Sequence, residues 1–439
     1  MRFLNREKEI ERLKEIAIIS RKNAQFTVVT GRRRIGKTQL LLKATEGQPT
    51  LYFFVTRKAE PFLCQDFQQE IVDKLGIPVL GTITSFGKLF QFLMQLSAER
   101  SFNLIIDEFQ EFLSINPSVY SEMQHYWDLN KDKSQLNLIV CGSVYSLMHK
   151  IFKDYKAPLF GRATAFLQVR PFNVSVLKEM LSELCPAYMK EDLLALYAFT
   201  GGVAKYVQLL VDNNALKFNK MLNFIIREDS SFITDGKNML IDEFGRDYAV
   251  YFTILSAIAR GDNTRGLIET YTGKEVGGYL TRLENDYGLI NKNIPVFAKS
   301  ATKNVRYVIN DNFLTFWFRF VYKYSNLIEI AQYDELKRII ERDYKTFSGK
   351  ILERYFREKW IEEGGITKIG GFWDSSGENE IDLIAINELD KTARIAEVKR
   401  NEKHIRYNAL KEKAAYMMRK NNQLIEYKIE YLGLSLEDM

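Results

Sequence analysis

Cysteine and proline are sparse in this chain of 439 residues, and long apolar runs are missing. The three cysteines, Cys64, Cys141 and Cys185, have no close spacing, which argues against a disulfide framework or a zinc site and fits a reducing compartment. All eight prolines fall at or before Pro295, so the last third contains no proline-rich linker. Glycine and proline together are too few for a fibrous or disordered chain. No apolar stretch approaches the roughly 18 residues of a membrane helix. The charged opening MRFLNREKE lacks the apolar core of a secretory signal. The expectation is a soluble cytoplasmic protein without a membrane partner. Of the three histidines, His125 and His149 have no partners at metal-ligand spacing and read as structural.

What is present is the balance of a globular protein, 46% apolar and 27% charged, with a length that suggests about three domains. Lysine and arginine number 62 against 56 acids, a net charge of +6 that matters only where it clusters. Apolar segments at 26–30, 51–55, 103–106, 136–141 and 163–169 read as strands, separated by helical patterns such as 63–75, 86–99 and 119–129. Strands alternating with helices predict an α/β fold with a parallel sheet covered on both faces. Residues 172–230 read as all-helical, 245–310 as helices followed by a hairpin, 311–350 as helical, and 351–439 as α/β again. The aromatic residues Phe313, Phe316, Trp317, Phe318, Phe320 and Tyr322 have the spacing of a core. The expected divisions are a core at 1–170, a helical lid at 171–235, a winged helix at 236–310, a helical connector at 311–344 and a last domain at 345–439. No repeat of fixed period is visible.

Gly31-Arg32-Arg33-Arg34-Ile35-Gly36-Lys37-Thr38 matches GxxxxGK[ST] between an apolar strand and the helical start Gln39-Leu40-Leu41-Leu42. Glycines at these positions let backbone amides converge on phosphate oxygens, and the helix amino end adds a favourable dipole. Residues 31–39 are thus the expected ATP or ADP site, with the Lys37 ammonium on the phosphates and the Thr38 hydroxyl on Mg²⁺. Leu104-Ile105-Ile106-Asp107-Glu108 places two acids at the carboxyl end of a strand, where ligands of open parallel sheets bind. Asp107 is expected to hold Mg²⁺ through water, and Glu108 to polarise the attacking water. The additional elements between these motifs predict the sheet order 5-1-4-3-2. Ser143, after the strand at 136–141, is placed either to bond the γ-phosphate or its water, or to act as an ordinary helix N-cap. Arg162 is the candidate arginine finger; a surface arginine at a turn fits the spacing equally.

These segments, together with Phe3-Leu4-Asn5-Arg6-Glu7-Lys8-Glu9-Ile10 and Thr200-Gly201-Gly202-Val203-Ala204-Lys205-Tyr206, resemble the archaeal-type ATPase family within the AAA+/STAND group of P-loop NTPases. The resemblance covers residues 1 to about 230. It implies an amino-terminal segment near the adenine, Ser143 as sensor 1, Arg162 as a finger and the GGVAKY stretch in a helical lid. Ala204 stands where relatives usually carry proline, which bears on a sensing role for Lys205. The family often carries a winged helix and then a domain of restriction-endonuclease type.

Helical patterns at 251–259, 264–271 and 274–286, followed by strands at 289–292 and 306–309, resemble a winged helix-turn-helix. Lys274 and Arg282, with Lys299, Lys303 and Arg306 on the wing, are suited to phosphates. Glu275, Glu284 and Asp286 would repel DNA, so a protein-packing module is an equal reading. Further on, strands at 380–386 and 393–399 carry Asp382 and the pair Glu397 and Lys399, which share one face by the period of two. Two carboxylates suit Mg²⁺ or Mn²⁺, which can activate water against a phosphodiester while the lysine neutralises developing charge. The D…ExK pattern resembles the PD-(D/E)XK nucleases over roughly 345–439, with Glu353 as the acid of their first helix. A charged edge hairpin is the plain alternative. Eight basic residues against three glutamates over 397–420, with His404 among them, add a stripe attractive to nucleic-acid backbones.

The resulting expectation is an ATPase coupled to a metal-dependent DNA nuclease. A regulator that binds DNA or a protein partner without cutting is the second reading, and a chaperone-like ATPase the third. A finger acting between subunits requires a homo-oligomer.

Overall fold

Five apolar segments pair side by side into a parallel sheet: β1 (Gln25–Thr30), β2 (Thr50–Phe54), β3 (Phe102–Asp107), β4 (Leu136–Gly142) and β5 (Ala165–Gln168). Their order is β2-β3-β4-β1-β5, the expected arrangement read from the opposite edge. The chain is seen in a computed structural model that describes residues 5–79, 81–299 and 301–439. Phe3 and Leu4 of the opening motif lie outside the described residues. Contacts divide the chain into two units, Met1–Arg170 and Pro171–Met439.

The sheet of the first unit is apolar on both sides because helices cover both. Alternate residues sort to opposite faces. Phe26, Val28, Leu51, Phe53, Leu104, Ile106, Leu138 and Val140 pack with Leu63, Phe67, Phe86, Phe90 and Trp127. Val29, Ile105, Ile139 and Cys141 pack with Leu13, Leu40 and Leu41 on the other face. Every residue of β3 and β4 is buried. The strands therefore hold their carboxyl ends at one edge with little freedom, and that edge carries the GxxxxGKT loop.

The second unit begins with helices Val174–Leu184, Lys190–Thr200, Ala204–Asp212, Phe218–Ile225 and Ser231–Phe244. Gly202 sits in the left-handed region at φ 72°, and a Cβ there would meet Phe172 O at 2.1 Å, so this turn admits only glycine. Helices Tyr248–Arg260, Arg265–Thr272 and Gly277–Asn285 precede an antiparallel hairpin of β6 (Ile290–Asn293) and β7 (Arg306–Ile309). A π-helical turn at Trp317–Tyr322 follows, and Phe313, Phe316, Trp317, Phe318 and Phe320 are buried as core. A single helix, Tyr333–Glu363, runs without a break through the expected division at 344. The last sheet has the order β11-β10-β9-β8, built from β8 (Lys368–Phe372), β9 (Ile381–Asn387), β10 (Thr392–Val398) and β11 (Lys428–Leu434). β8–β9 and β9–β10 are antiparallel, and β10–β11 is parallel across the helix Tyr407–Asn421. Among the described residues, no helix is long and apolar enough to cross a membrane.

Candidate functional site

The phosphate loop leaves β1 at Thr30. Gly31 is pressed against β5's exit, where a Cβ would meet Val169 O at 2.7 Å. Ile35 is buried with Val29 and Leu40 and anchors the loop from beneath. Gly36 adopts φ 90° as N-cap of the helix Lys37–Ala44, so the turn into the helix exposes its first amides. Arg34 also takes a positive φ of 69°. Arg32 and Arg33 are half-buried along the loop, and Gln39 is exposed on the first helical turn.

Lys37 is 7% exposed, and its Nζ donates to Gly31 O at 2.8 Å and Arg32 O at 3.1 Å. Burial pulls its pKa down, against the carboxylates of Glu108 and Asp107. Thr38 Oγ1 donates to Asp107 Oδ2 at 2.7 Å, joining the two expected Mg²⁺ ligands across the loop and β3. Asp107 also accepts from Tyr52 OH at 2.8 Å, Cys141 Sγ at 2.8 Å and the Glu108 amide at 2.9 Å. Burial, and then the neighbouring Asp107, raise the pKa of both Tyr52 and Cys141, so each keeps its proton and acts as a donor. Tyr52 and Cys141 were not singled out in the sequence. Their only signal is a polar or ionisable group near the end of an otherwise apolar strand.

Glu108 is left-handed at φ 53° and ψ 40°, a conformation that costs a non-glycine residue about 1–2 kcal/mol. Strain of this kind concentrates at functional sites. Its carboxylate accepts from Ser143 Oγ at 3.0 and 2.8 Å and from Gln110 Nε2. Arg33 Nε lies 3.4 Å from the same Ser143 oxygen. The N-cap reading of Ser143 does not hold. The helix that follows, Tyr145–Phe152, has Val144 as N-cap, and Ser143 spends its hydroxyl proton on Glu108. Gln110 is a third residue that sequence reasoning passed over.

Arg162 lies at the other end of the sheet. It precedes β5, and Thr164 N bonds to Phe26 O near the start of β1. Six residues of β1 separate that end from the loop, roughly 20 Å at about 3.3 Å per residue. Within its own subunit Arg162 donates to Phe160 O at 2.8 Å and pairs with Asp128 at 3.1 Å. It does not reach the phosphate loop of its own chain.

In the second unit, β9 and β10 are inner strands, so Asp382 and Glu397 do not belong to an edge hairpin. Asp382 Oδ2 accepts from Val398 N at 2.9 Å and from Lys399 Nζ at 3.1 Å. Lys399 Nζ is also 3.5 Å from Glu397 Oε1, as the period of two requires. Burial lowers the Lys399 pKa, but Asp382 and Glu397 outweigh it and the net direction is up. Glu397 Oε2 accepts from the Arg406 amide at 2.8 Å. Glu353 projects from the long helix beside Lys350 Nζ, at 2.9 Å. Burial raises its pKa to about 7, and the nearby charge of Asp382 adds to the rise while Lys350 opposes it. Among the described residues, no group of three or more His, Cys, Asp or Glu is arranged as a metal cage. Two carboxylates and water are nevertheless a donor set that Mg²⁺ accepts, and Asp382 and Glu397 fit it.

The wing is less free than expected. Arg306 forms a two-pronged pair with Glu380 at 2.8 and 3.1 Å and lies 4.6 Å above the Trp373 ring. Asn304 and Trp373 exchange hydrogen bonds, and Val296 N donates to Gly371 O at 2.9 Å. Arg306 is therefore committed to the C-terminal sheet and not to a phosphate. In the basic stretch, Arg400 turns inward to Ser348 and Glu191, whereas Lys403, Arg406, Lys411, Arg419 and Lys420 are exposed.

Comparison with known proteins matches two separate stretches of the chain. An ATPase domain predominantly from Archaea matches residues 3–210. A domain of archaeal and bacterial proteins of unknown function matches residues 317–415. An uncharacterized protein of Methanocaldococcus jannaschii is 31% identical over 405 residues, covering 90% of this chain and 87% of that protein. A Walker-type ATPase of Pyrococcus abyssi shares the fold with a TM-score of 0.55 at 21% identity, over 72% of this chain and 96% of that one. The ORC2 protein of Aeropyrum pernix, solved as ADPNP–ADP complexes, reaches a TM-score of 0.47 at 14% identity over 75% and 95% of the two chains.

Proposed function

The chain belongs to the family of ATPase-domain proteins found predominantly in Archaea, and from that premise we propose an ATP-hydrolysing switch coupled to a metal-dependent, DNA-cutting domain. One observation carries the first half: Thr38, Asp107, Glu108 and Ser143 meet at the carboxyl edge of the sheet beside the phosphate loop. In this reading residues 31–39 bind the phosphates of ATP, and Lys37 neutralises them. Thr38 and Asp107 hold Mg²⁺, which supplies charge compensation for the transferring phosphoryl group. Glu108, held by Ser143 and Gln110, orients and polarises the attacking water. Arg162 serves a neighbouring copy, which makes the working form an oligomer. Three free cysteines support a cytoplasmic setting.

For the second half, Asp382 and Glu397 hold Mg²⁺ or Mn²⁺, with Glu353 facing them, and Lys399 compensates charge on the phosphodiester. The support is the shared contact of both carboxylates with Lys399 on inner strands. The test is cleavage of plasmid and single-stranded DNA with either metal. Asp382→Ala and Lys399→Ala should each abolish cutting; equal cutting by both variants refutes the nuclease reading. A second reading, a switch that binds DNA or a protein partner without cutting, is favoured by the wing fastened over β8 through Arg306 and Asn304. Salt-sensitive binding with no cleavage under any metal identifies it.

A further inference from the structure

A cavity of about 410 Å³ in the second unit contains Glu353, Glu380 and Asp382, together with more cationic groups than these acids engage. Lys350, Arg354 and Arg357 line it from one helix face, spaced four and three residues apart. Lys350 is taken by Glu353, and Arg354 donates to Asn312 Oδ1 at 3.0 Å. Arg357 is half-buried, and among the described residues it has neither a hydrogen bond nor an ion pair. Burial pulls its pKa down, and the charge of its neighbour Glu358 only partly offsets this. A half-buried guanidinium without an acceptor leaves its donors open to a ligand that enters the cavity. Its planar fork matches phosphate oxygens.

The cavity is also selective by shape. Its volume lies in the range of small-ligand pockets, about 300–1,000 Å³. Arg306, Asn304 and Val296 fasten the wing across its β8 side. A cavity of this volume holds one nucleotide unit and is too small for a base-paired segment.

We propose that this cavity is a phosphate subsite in which Arg357, beside Arg354, receives the phosphate of a single nucleotide unit from an unpaired strand or strand end, next to Glu353, Glu380 and Asp382. The inference takes its substrate class from the phosphodiester-cutting reading above. A free nucleotide carries the same phosphate chemistry, and the experiment separates the two sources.

Binding is measured by fluorescence anisotropy in EDTA, so that no cutting is needed, on the full chain. The probes are a 5′-phosphorylated single-stranded oligonucleotide and a closed duplex without ends. The proteins are the parent, Arg357→Ala and Arg357→Lys, each checked for an unchanged thermal transition. The parent should prefer the single strand. Arg357→Ala should weaken that binding by about tenfold or more and lower the slope of log K against log salt by about 0.7. Arg357→Lys should recover part of the loss, and closed-duplex binding should not respond. Equal single-strand binding by the parent and Arg357→Ala, or no binding by the parent at low salt, overturns the subsite. Displacement by a nucleoside monophosphate at lower concentration than by unlabelled strand, read in a Lys37→Met background, overturns the strand assignment in favour of a free nucleotide. Arg357-dependent binding without metal-dependent cutting keeps the subsite and removes the nuclease; cutting with Arg357-independent binding does the reverse.

Discussion

Replacing Glu108 by glutamine isolates the hydrolytic step, because the structure assigns that side chain no other large task. The carboxylate accepts from Ser143 and Gln110. A glutamine keeps the length and one oxygen, which accepts from Gln110 Nε2, while its amide nitrogen donates to the Ser143 hydroxyl, a group that accepts as well as donates. Hydrogen bonds to charged groups contribute about 1.5–3 kcal/mol, and the amide can rotate to keep the better partner, so we expect a stability change within about 1 kcal/mol. Nucleotide affinity should hold or tighten, since the substitution removes a negative charge beside Lys37 from an anion site. Hydrolysis should fall by about 100- to 10,000-fold, the usual contribution of a general base. The assay is single-turnover phosphate release with magnesium, alongside titration of a fluorescent nucleotide. Ser143→Ala should slow release by a smaller factor in the parent and hardly at all in the Glu108→Gln background, because the two residues act through one contact. Release by Glu108→Gln within threefold of the parent would refute the assignment.

Lys37→Met should remove nucleotide-dependent stabilisation. A parent held at a hundredfold excess of ATP over its dissociation constant gains about 2.7 kcal/mol, and scanning fluorimetry should show no such shift in the variant. Glu353 supplies a pH test in metal-free protein. Its folded pKa of about 7 stands above the ordinary 4.5, so the folded state binds the proton more tightly than the unfolded state. The parent should therefore lose stability as pH rises from about 4.5 to 7, relative to Glu353→Gln. Urea titrations across that window check this, and parallel profiles for the two proteins would contradict it.

The local patterns that the sequence alone determined are those with a short physical range. GxxxxGKT between a strand and a helix needs only neighbouring residues to form its loop, and Gly31 and Gly36 take the backbone positions that the motif requires. Apolar runs marked the strands, and the additional elements between the GxxxxGKT loop and the Asp107-Glu108 acids predicted the order of the first sheet. Asp382, Glu397 and Lys399 were legible for the same reason, since a strand's period sets which side chains share a face. Tertiary structure decided what depended on partners far along the chain. Tyr52 and Cys141 reach Asp107 from two neighbouring strands, and each is a single polar or ionisable group in an apolar run. Arg306 read as a wing cation until Glu380, 74 residues away, appeared as its counter-ion. The N-cap reading of Ser143 fell only when Val144 took the cap and the serine hydroxyl turned to Glu108. Arg357, one basic residue among many on a long helix, stood out only when the fold enclosed it in a cavity with three carboxylates. Burial and charge pairing are properties of the packed chain, so no local stretch of sequence could supply them.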